Sequence, residues 1–270
     1  ATETYSNINV NEKLEKGSSF ENISKEYLFK LANTLNNFIE FKDNYTAGHC
    51  ERVATYSEAL GIALGLDEKQ IEDLILAANL HDIGKIALPD AVITKTGKLN
   101  DLEFNLMKKH VELGTLLLPS NSLGYLKESI RAHHEKYDGT GYPDGLKGNE
   151  IPQFAQILAI ADSFDAMTSQ RSYNKVKSAY EAFDDLKRHT KPYGVEDGLG
   201  VFYNPEYVDK FIKVISESKT IMENLDKAKK QADLNYQYKE DQENKNINEN
   251  IEKEENKNIK LVKKGDIKNG

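Results

Sequence analysis

Apolar residues recur along this chain at helical spacing, and almost nowhere at the alternating spacing of a strand. Tyr27, Leu28, Leu31, Leu35 and Phe38 fall at steps of one helical turn, which predicts a first helix packing that face against the rest of the molecule. Val53, Tyr56, Leu60 and Ala63 repeat the pattern in a second helix from near His49 to Leu64. Ile71, Leu74, Ile75 and Ala78 repeat it in a third, which starts about Glu68 and delivers His81-Asp82 at its end. The stretch from Leu88 to Gly97 reads as a loop. Asn100 with Glu103 three residues on has the form of a capping box. In the helix it opens, Glu103, Leu106, His110, Val111 and Gly114 share a face, which turns His110 inward. Another helix, from about Leu123, ends at His133-His134. The run from Asp138 to Gly145 is dense in turn formers and breaks the periodicity. Helices resume from Ile151 to Thr168, Ser178 to His189 and Pro205 to about Glu223. The fold class expected is all-α, a multi-helix bundle with no internal repeat.

With 39 % hydrophobic residues over 270 positions, the chain has material for one large core or two small ones. From about Asp226 Lys, Glu, Asp and Asn dominate to Gly270, and such a stretch buries too little to offset the entropy of ordering it. The organisation expected is an N-terminal segment and lead helix over 1–42, a helical domain over 43–225, and a charged low-complexity tail over 226–270 that is disordered or helical. A net charge of −8, with no Lys/Arg cluster alternating with aromatics in the globular part, argues against non-specific nucleic-acid binding, so an anionic substrate has to be held locally by metals and a few cations. The single cysteine, Cys50, excludes an intrachain disulfide and fits a reducing compartment. Beside His49, it reads as a buried inert thiol rather than a ligand. No apolar run approaches the roughly 20 residues of a membrane span, and the polar N-terminus has no signal-peptide pattern. The expectation is a cytoplasmic protein with no membrane contact in this segment. The chain opens on Ala rather than Met, which reads as an excerpt with room for a sensor domain ahead of it.

The candidate chemistry centres on His81-Asp82-Ile83-Gly84-Lys85. An imidazole and a carboxylate at the end of an apolar helix can hold a metal, and a nitrogen–oxygen shell suits Zn, Mn or Fe better than Ca or Mg. Further donors follow in order: His110, His133-His134, and Asp162 after Ile157-Leu158-Ala159-Ile160-Ala161, with His49 upstream. Of the six histidines only His189 looks unconnected, and it reads as a surface residue. Lys85, four residues after His81, can reach over the same cavity and stabilise phosphate oxygens or a leaving group.

These blocks resemble the HD-GYP family, the branch of metal-dependent HD phosphohydrolases associated with cyclic di-GMP breakdown. The resemblance runs from about Asp43 to Phe211. It is carried by Thr46-Ala47-Gly48-His49-Cys50-Glu51-Arg52-Val53, by His81-Asp82-Ile83-Gly84-Lys85, by Lys98-Leu99 with Glu103 and His110, and by His133-His134-Glu135-Lys136-Tyr137-Asp138-Gly139-Thr140-Gly141-Tyr142-Pro143. Ala161-Asp162-Ser163-Phe164-Asp165-Ala166-Met167-Thr168-Ser169 with Arg171 and Tyr173 completes it. It implies an HD-domain bundle around a centre of two divalent ions, iron or manganese first. His49, His81, Asp82 and Asp162 hold one ion in that scheme, and Asp82, His110, His133 and His134 the other. The bridging Asp82 and Lys85 are then the catalytic pair, around a hydroxide shared by the metals. Arg171 resembles the family's phosphate-binding arginine. Where a lysine is expected after the tyrosine, Asn174 stands first and Lys175 follows. Members with a third ion carry a glutamate four residues before the first histidine; here that position is Tyr45, with Asp43 two residues before it, so two ions are expected.

In the Asp138–Gly145 loop, Gly139 and Gly141 permit backbone geometries closed to other residues and offer amide N–H groups to an anion. Tyr142 reads either as a stacking surface for guanine or as turn packing. Asp165, one turn after Asp162, reads as facing the cavity to accept from a guanine edge, or as having an N-terminal-turn or solvated role. The activity implied is hydrolysis of cyclic di-GMP to pGpG, with a further step to GMP left open. Two alternatives stay open: a phosphodiesterase for another cyclic dinucleotide such as cyclic GMP-AMP, and a non-catalytic receptor or interaction module. Beyond cyclic di-GMP, the partners considered are a diguanylate cyclase domain at the Gly-Tyr-Pro loop and a second copy of the chain.

Overall fold

The computed structural model describes residues 25–42, 48–118, 123–170, 175–238 and 242. Three helices open it: α1 (Lys25–Lys42), α2 (His49–Ala63) and α3 (Glu68–Leu80). The last begins in a full capping box, in which Asp67 accepts from the Gln70 backbone and Gln70 from that of Asp67. A 3-10 turn (Ile83–Ala87) and the short α4 (Asp90–Ile93) follow, so the predicted loop is in part helical, with Leu88, Val92 and Ile93 buried. The Asn100 capping box forms as expected and starts α5 (Asp101–Lys108). That helix stops short of His110, however. The chain breaks at Lys109 and restarts as α6 (His110–Leu117), so His110 and Val111 are buried while Leu106 is 45 % exposed. Next come α7 (Lys127–Ala132), α8 (Gln153–Thr168), α9 (Ala179–Arg188) and α10 (Pro205–Glu217).

The core forms around α8. Ile157, Leu158, Ile160, Ala161 and Phe164 are fully buried there, and Phe164 meets Tyr56 of α2, Phe183 of α9 and Phe211 of α10 at ring-centroid distances of 5.1, 5.4 and 5.1 Å. Two two-residue strands, β1 (Thr190–Lys191) and β2 (Gly200–Val201), pair antiparallel. They are too short to leave an alternating pattern in the sequence. No helix among the described residues is long and apolar enough to cross a membrane.

The face of α1 is a correction. Tyr27, Leu31 and Phe38 are each about half exposed, whereas Ala32, Asn36 and Ile39 are buried, with Phe29 and Leu35 packed beside them. A polar anchor sets this rotation: Asn36 Nδ2 donates to the Asn79 carbonyl at 2.6 Å. The C-terminal stretch is helical through residue 238, in a helix over 219–238 (α11) that crosses position 226 without a break. Leu225 and Ala232 are buried in it, and Asn235 donates to Gln170 at 3.3 Å. Nor is His189 a plain surface residue, because its ring lies 4.7 Å from that of Phe202 and its Nδ1 donates to the Asp185 carbonyl.

One close approach positions the chemistry. A Cβ on Gly84 would fall 1.9 Å from the His110 carbonyl oxygen and 2.5 Å from the Gly114 nitrogen, so the turn after Asp82 lies directly on α6. Only glycine permits that contact. Gly84→Ala is expected to force the two backbones apart, at about 3 kcal/mol, the upper end for overpacking. Gly114→Ala, whose Cβ would meet nothing nearer than 3.4 Å, should cost far less. Urea unfolding of both variants checks the difference.

Candidate metal centre

Helix ends present the histidines. His81 caps α3, His110 opens α6 after the break, and His133 caps α7. Each donates its Nδ1 hydrogen at 2.7 Å to the carbonyl three residues back, namely Ala78, Met107 and Ile130. A carbonyl only accepts, so the proton stays on Nδ1 and the Nε2 lone pair is free to face the centre. His49, at the first turn of α2, is locked in the same way by a carboxylate, with Nδ1 2.7 Å from Asp165 Oδ2.

These nitrogens converge in two nests. His49, His81 and Asp82 present ligand atoms within 4.8 Å of one another, and His110, His133 and His134 do the same. Asp82 stands between them. Its Oδ1 lies 3.3 Å from His110 Nε2, while Oδ2 lies 3.5 Å from His81 Nε2 and 3.9 Å from His49 Nε2. Asp162, partly exposed on α8, puts Oδ1 3.4 Å from His49 Nε2. Two observations fit a cation here. His81 Nε2 is buried without a hydrogen-bond partner, and the Nε2 atoms of His110 and His133 face each other at 3.4 Å, two lone pairs that repel unless positive charge sits with them.

The electrostatics keep the donors ready. Burial, with His81 and His110 nearby, pushes His133 down to about 3, and burial beside His133 and His110 holds His134 well below the imidazole range. Burial lowers His110 too. Burial would raise the Asp82 carboxyl, but Lys85, His81, His110 and His49 together hold it well below the usual range. Lys85 places Nζ 2.5 Å from Asp82 Oδ2. His49 is the exception: burial lowers it, yet the Asp165 hydrogen bond and the charges of Asp162, Asp165 and Asp82 outweigh burial and raise it.

Asp165 corrects an expectation. It does not face a ligand: the carboxylate is 1 % exposed and both oxygens are engaged. Oδ2 takes His49 Nδ1, and Oδ1 takes Arg52 Nε at 2.6 Å and Ser169 Oγ at 3.0 Å. Burial would raise its pKa, but His49 and Arg52 hold it at about 2. It is the support that orients His49. The signal was a matched pair of one-turn spacings, His49/Arg52 on α2 facing Asp162/Asp165 on α8.

The Gly-Tyr-Pro turn closes one side of the centre. Glu135, unremarked in the sequence beyond its motif, is 3 % exposed and accepts from the Asp144 and Gly145 backbones at 2.6 and 3.0 Å. Gly141 packs so tightly that a Cβ would lie 2.3 Å from Lys136 N, so its place in the motif follows from close approach. Tyr142 lays its ring 4.9 Å from that of His134. Burial, with Asp82 and Asp162 adding to it, drives its phenol far above the ordinary range, so the hydroxyl stays protonated. Gly139 adopts φ +84 at the turn. Lys175 is exposed, with its charge acting on Glu181. Arg171, Tyr173, Asn174, Tyr45 and Asp43 lie outside the described residues.

An HD-domain family model matches residues 33–195. A cyclic di-GMP phosphodiesterase of Thermotoga maritima is 39 % identical over 196 residues, which cover 72 % of this chain and 51 % of that protein. The 3'3'-cGAMP-specific phosphodiesterase 2 of Vibrio cholerae is 38 % identical over 214 residues, covering 73 % and 39 %. The chain thus spans about half or less of the length of these relatives. Among solved structures, Bd1817 of Bdellovibrio bacteriovorus, titled an HDG"Y"P protein, aligns with a TM-score of 0.50 at 19 % identity, over 72 % of this chain and 65 % of that one, a likeness of fold. With the ordered His/Asp motif and the Gly-Tyr-Pro turn folded onto one centre, the chain belongs to the HD-domain family, in its HD-GYP branch.

Proposed function

We propose that this chain is a metal-dependent phosphodiesterase that hydrolyses cyclic di-GMP to pGpG. The observation that carries the reading is Asp82, one carboxylate with an oxygen toward each of two histidine nests. His49, His81, Asp82 and Asp162 would hold one divalent ion, and Asp82, His110, His133 and His134 the second. Iron or manganese suits the mixed nitrogen–oxygen donors. Two such ions supply water activation and charge neutralisation for attack on an anionic phosphodiester.

The chain's own residues prepare the rest. Four Nδ1 anchors fix the imidazoles before any ligand arrives, which spares the reaction their reorganisation. Lys85 carries the positive charge nearest Asp82, so a phosphate oxygen brought to that side meets an ammonium donor. Tyr142, protonated and partly buried over His134, offers a ring face to a base. Arg171, matched on sequence to the family's phosphate-binding arginine, would supply a planar fork suited to a phosphate. Relatives named for cyclic di-GMP and for 3'3'-cGAMP match this chain almost equally, and this favours the mixed dinucleotide as the second substrate to try.

Protein loaded anaerobically with Fe(II) or Mn(II) is expected to convert cyclic di-GMP to pGpG, followed by chromatography, and chelation should stop the conversion. Tight binding of the nucleotide with no turnover under any loading would make the chain a receptor instead.

A further inference from the structure

Lys108, the last residue of α5, is a cation that the reading above does not use. Its Nζ lies 5.2 Å from the ring centroid of Phe104 and 5.8 Å from that of Tyr142, two rings that meet edge to face at 6.3 Å. The side chain is half-buried, and among the described residues no carboxylate lies within 4.0 Å of it. Its neighbours behave differently: Lys109 pairs with Glu112, and Lys95 with Glu103. On a chain with 44 acidic residues, a lysine held by aromatic faces rather than by an acid keeps its charge available to an anion. Its place is specific as well. Tyr142 meets both the Lys108 ammonium and the His134 ring, so the ammonium borders the aromatic wall of the histidine nest.

A cyclic dinucleotide carries two phosphodiesters in one ring. The His/Asp centre engages one of them at a time, and the other must rest elsewhere on the protein. We propose that Lys108 holds this second phosphate, the one not being cut, with Phe104 and Tyr142 as the aromatic wall beside it. The proposal rests on the phosphodiesterase reading and names what selects a two-phosphate substrate at that same site. Because such a contact is made equally in the ground and transition states, its loss should appear in KM rather than kcat.

The test compares cyclic di-GMP with bis(p-nitrophenyl) phosphate, which has one phosphodiester, on the full metal-loaded chain. Lys108→Met is expected to raise KM for cyclic di-GMP about tenfold, the scale of one charge-assisted contact, with kcat changing by no more than roughly twofold. The one-phosphate diester should lose much less. Lys108→Arg should recover most of the KM, and metal content should match the parent protein, since His110 is two residues away. An unchanged KM for cyclic di-GMP, or an equal loss on both substrates, overturns the proposal. If the parent protein turns over neither substrate, the phosphodiesterase reading fails by itself, and the dissociation constant for cyclic di-GMP becomes the readout. Weaker binding by Lys108→Met then supports the phosphate contact, and equal binding or none refutes it.

Discussion

Asp82→Ala is expected to abolish metal retention and phosphodiester hydrolysis together. The carboxylate has Oδ1 3.3 Å from His110 and Oδ2 turned to His81, His49 and Lys85. Without it, neither nest keeps a negative charge in common with the other, and Lys85 loses its partner. Any two divalent ions held at this centre would then face each other and the Lys85 ammonium with the shared counter-charge gone. Removing a single preorganised transition-state donor typically costs on the order of a hundred- to a thousandfold, and losing the carboxylate shared by both histidine nests should exceed that. Asp165→Ala is the informative comparison. That residue touches the centre only through His49, so its loss should fall nearer the roughly ten- to hundredfold seen for outer-shell partners. Elemental analysis after anaerobic loading, beside kcat/KM, separates the two. An Asp82→Ala protein that still carries the full complement of metal would remove the bridging role.

The residues of the centre were legible because their chemistry admits few substitutes. Imidazoles and carboxylates in order along helix ends carry their function in their type, and the fold brings His49, His81, Asp82, His110, His133, His134 and Asp162 together. Packing faces were less legible. On α1 the apolar stripe of Tyr27, Leu31 and Phe38 lies outward, since one amide, Asn36, bonds across to Asn79 and fixes the rotation, and hydropathy alone cannot register a hydrogen bond. Asp165 was misassigned for a related reason. On the sequence it is only an acid one turn from a ligand, and which of two acids faces the centre depends on Arg52 and His49 arriving from another helix. In the C-terminal helix, Leu225 at the edge of the charged tail and Ala232 within it lie seven residues apart on one helical face, too sparse a pattern to outweigh the lysines and glutamates around them. The break at Lys109 carries no Pro or Gly signal, yet it is what turns His110 inward while Leu106 stays out.

Acid is expected to destabilise the metal-free chain steeply from about pH 6.5 down to about pH 5, before its carboxylates begin to titrate. His133 is 1 % exposed, and burial beside other imidazoles pushes it down to about 3, whereas in the unfolded chain it titrates near 6.5. Below pH 6.5 the unfolded state therefore takes up a proton that the folded state refuses. The stability is fully present above the unfolded value and is lost as pH falls toward the folded one. At about 1.4 kcal/mol per pH unit, His133 alone costs about 2 kcal/mol at pH 5. His110 and His134 shift in the same direction and add to the loss. His49 acts oppositely but elsewhere: its pKa is raised, so its contribution is constant below pH 6.5 and fades only as pH climbs through the folded value. Asp82 and Asp165, both lowered, release their share from about pH 5 downward, as the unfolded carboxyls begin to take up protons that the folded ones refuse. The window from about 6.5 to about 5 thus belongs to the buried histidines. Urea midpoints of the chelated protein should fall markedly from pH 7 to pH 5, and His133→Asn should show a shallower dependence. Midpoints that stay level over this range would mean that these imidazoles accept protons in the folded state, and that the centre is more open to water than its burial indicates.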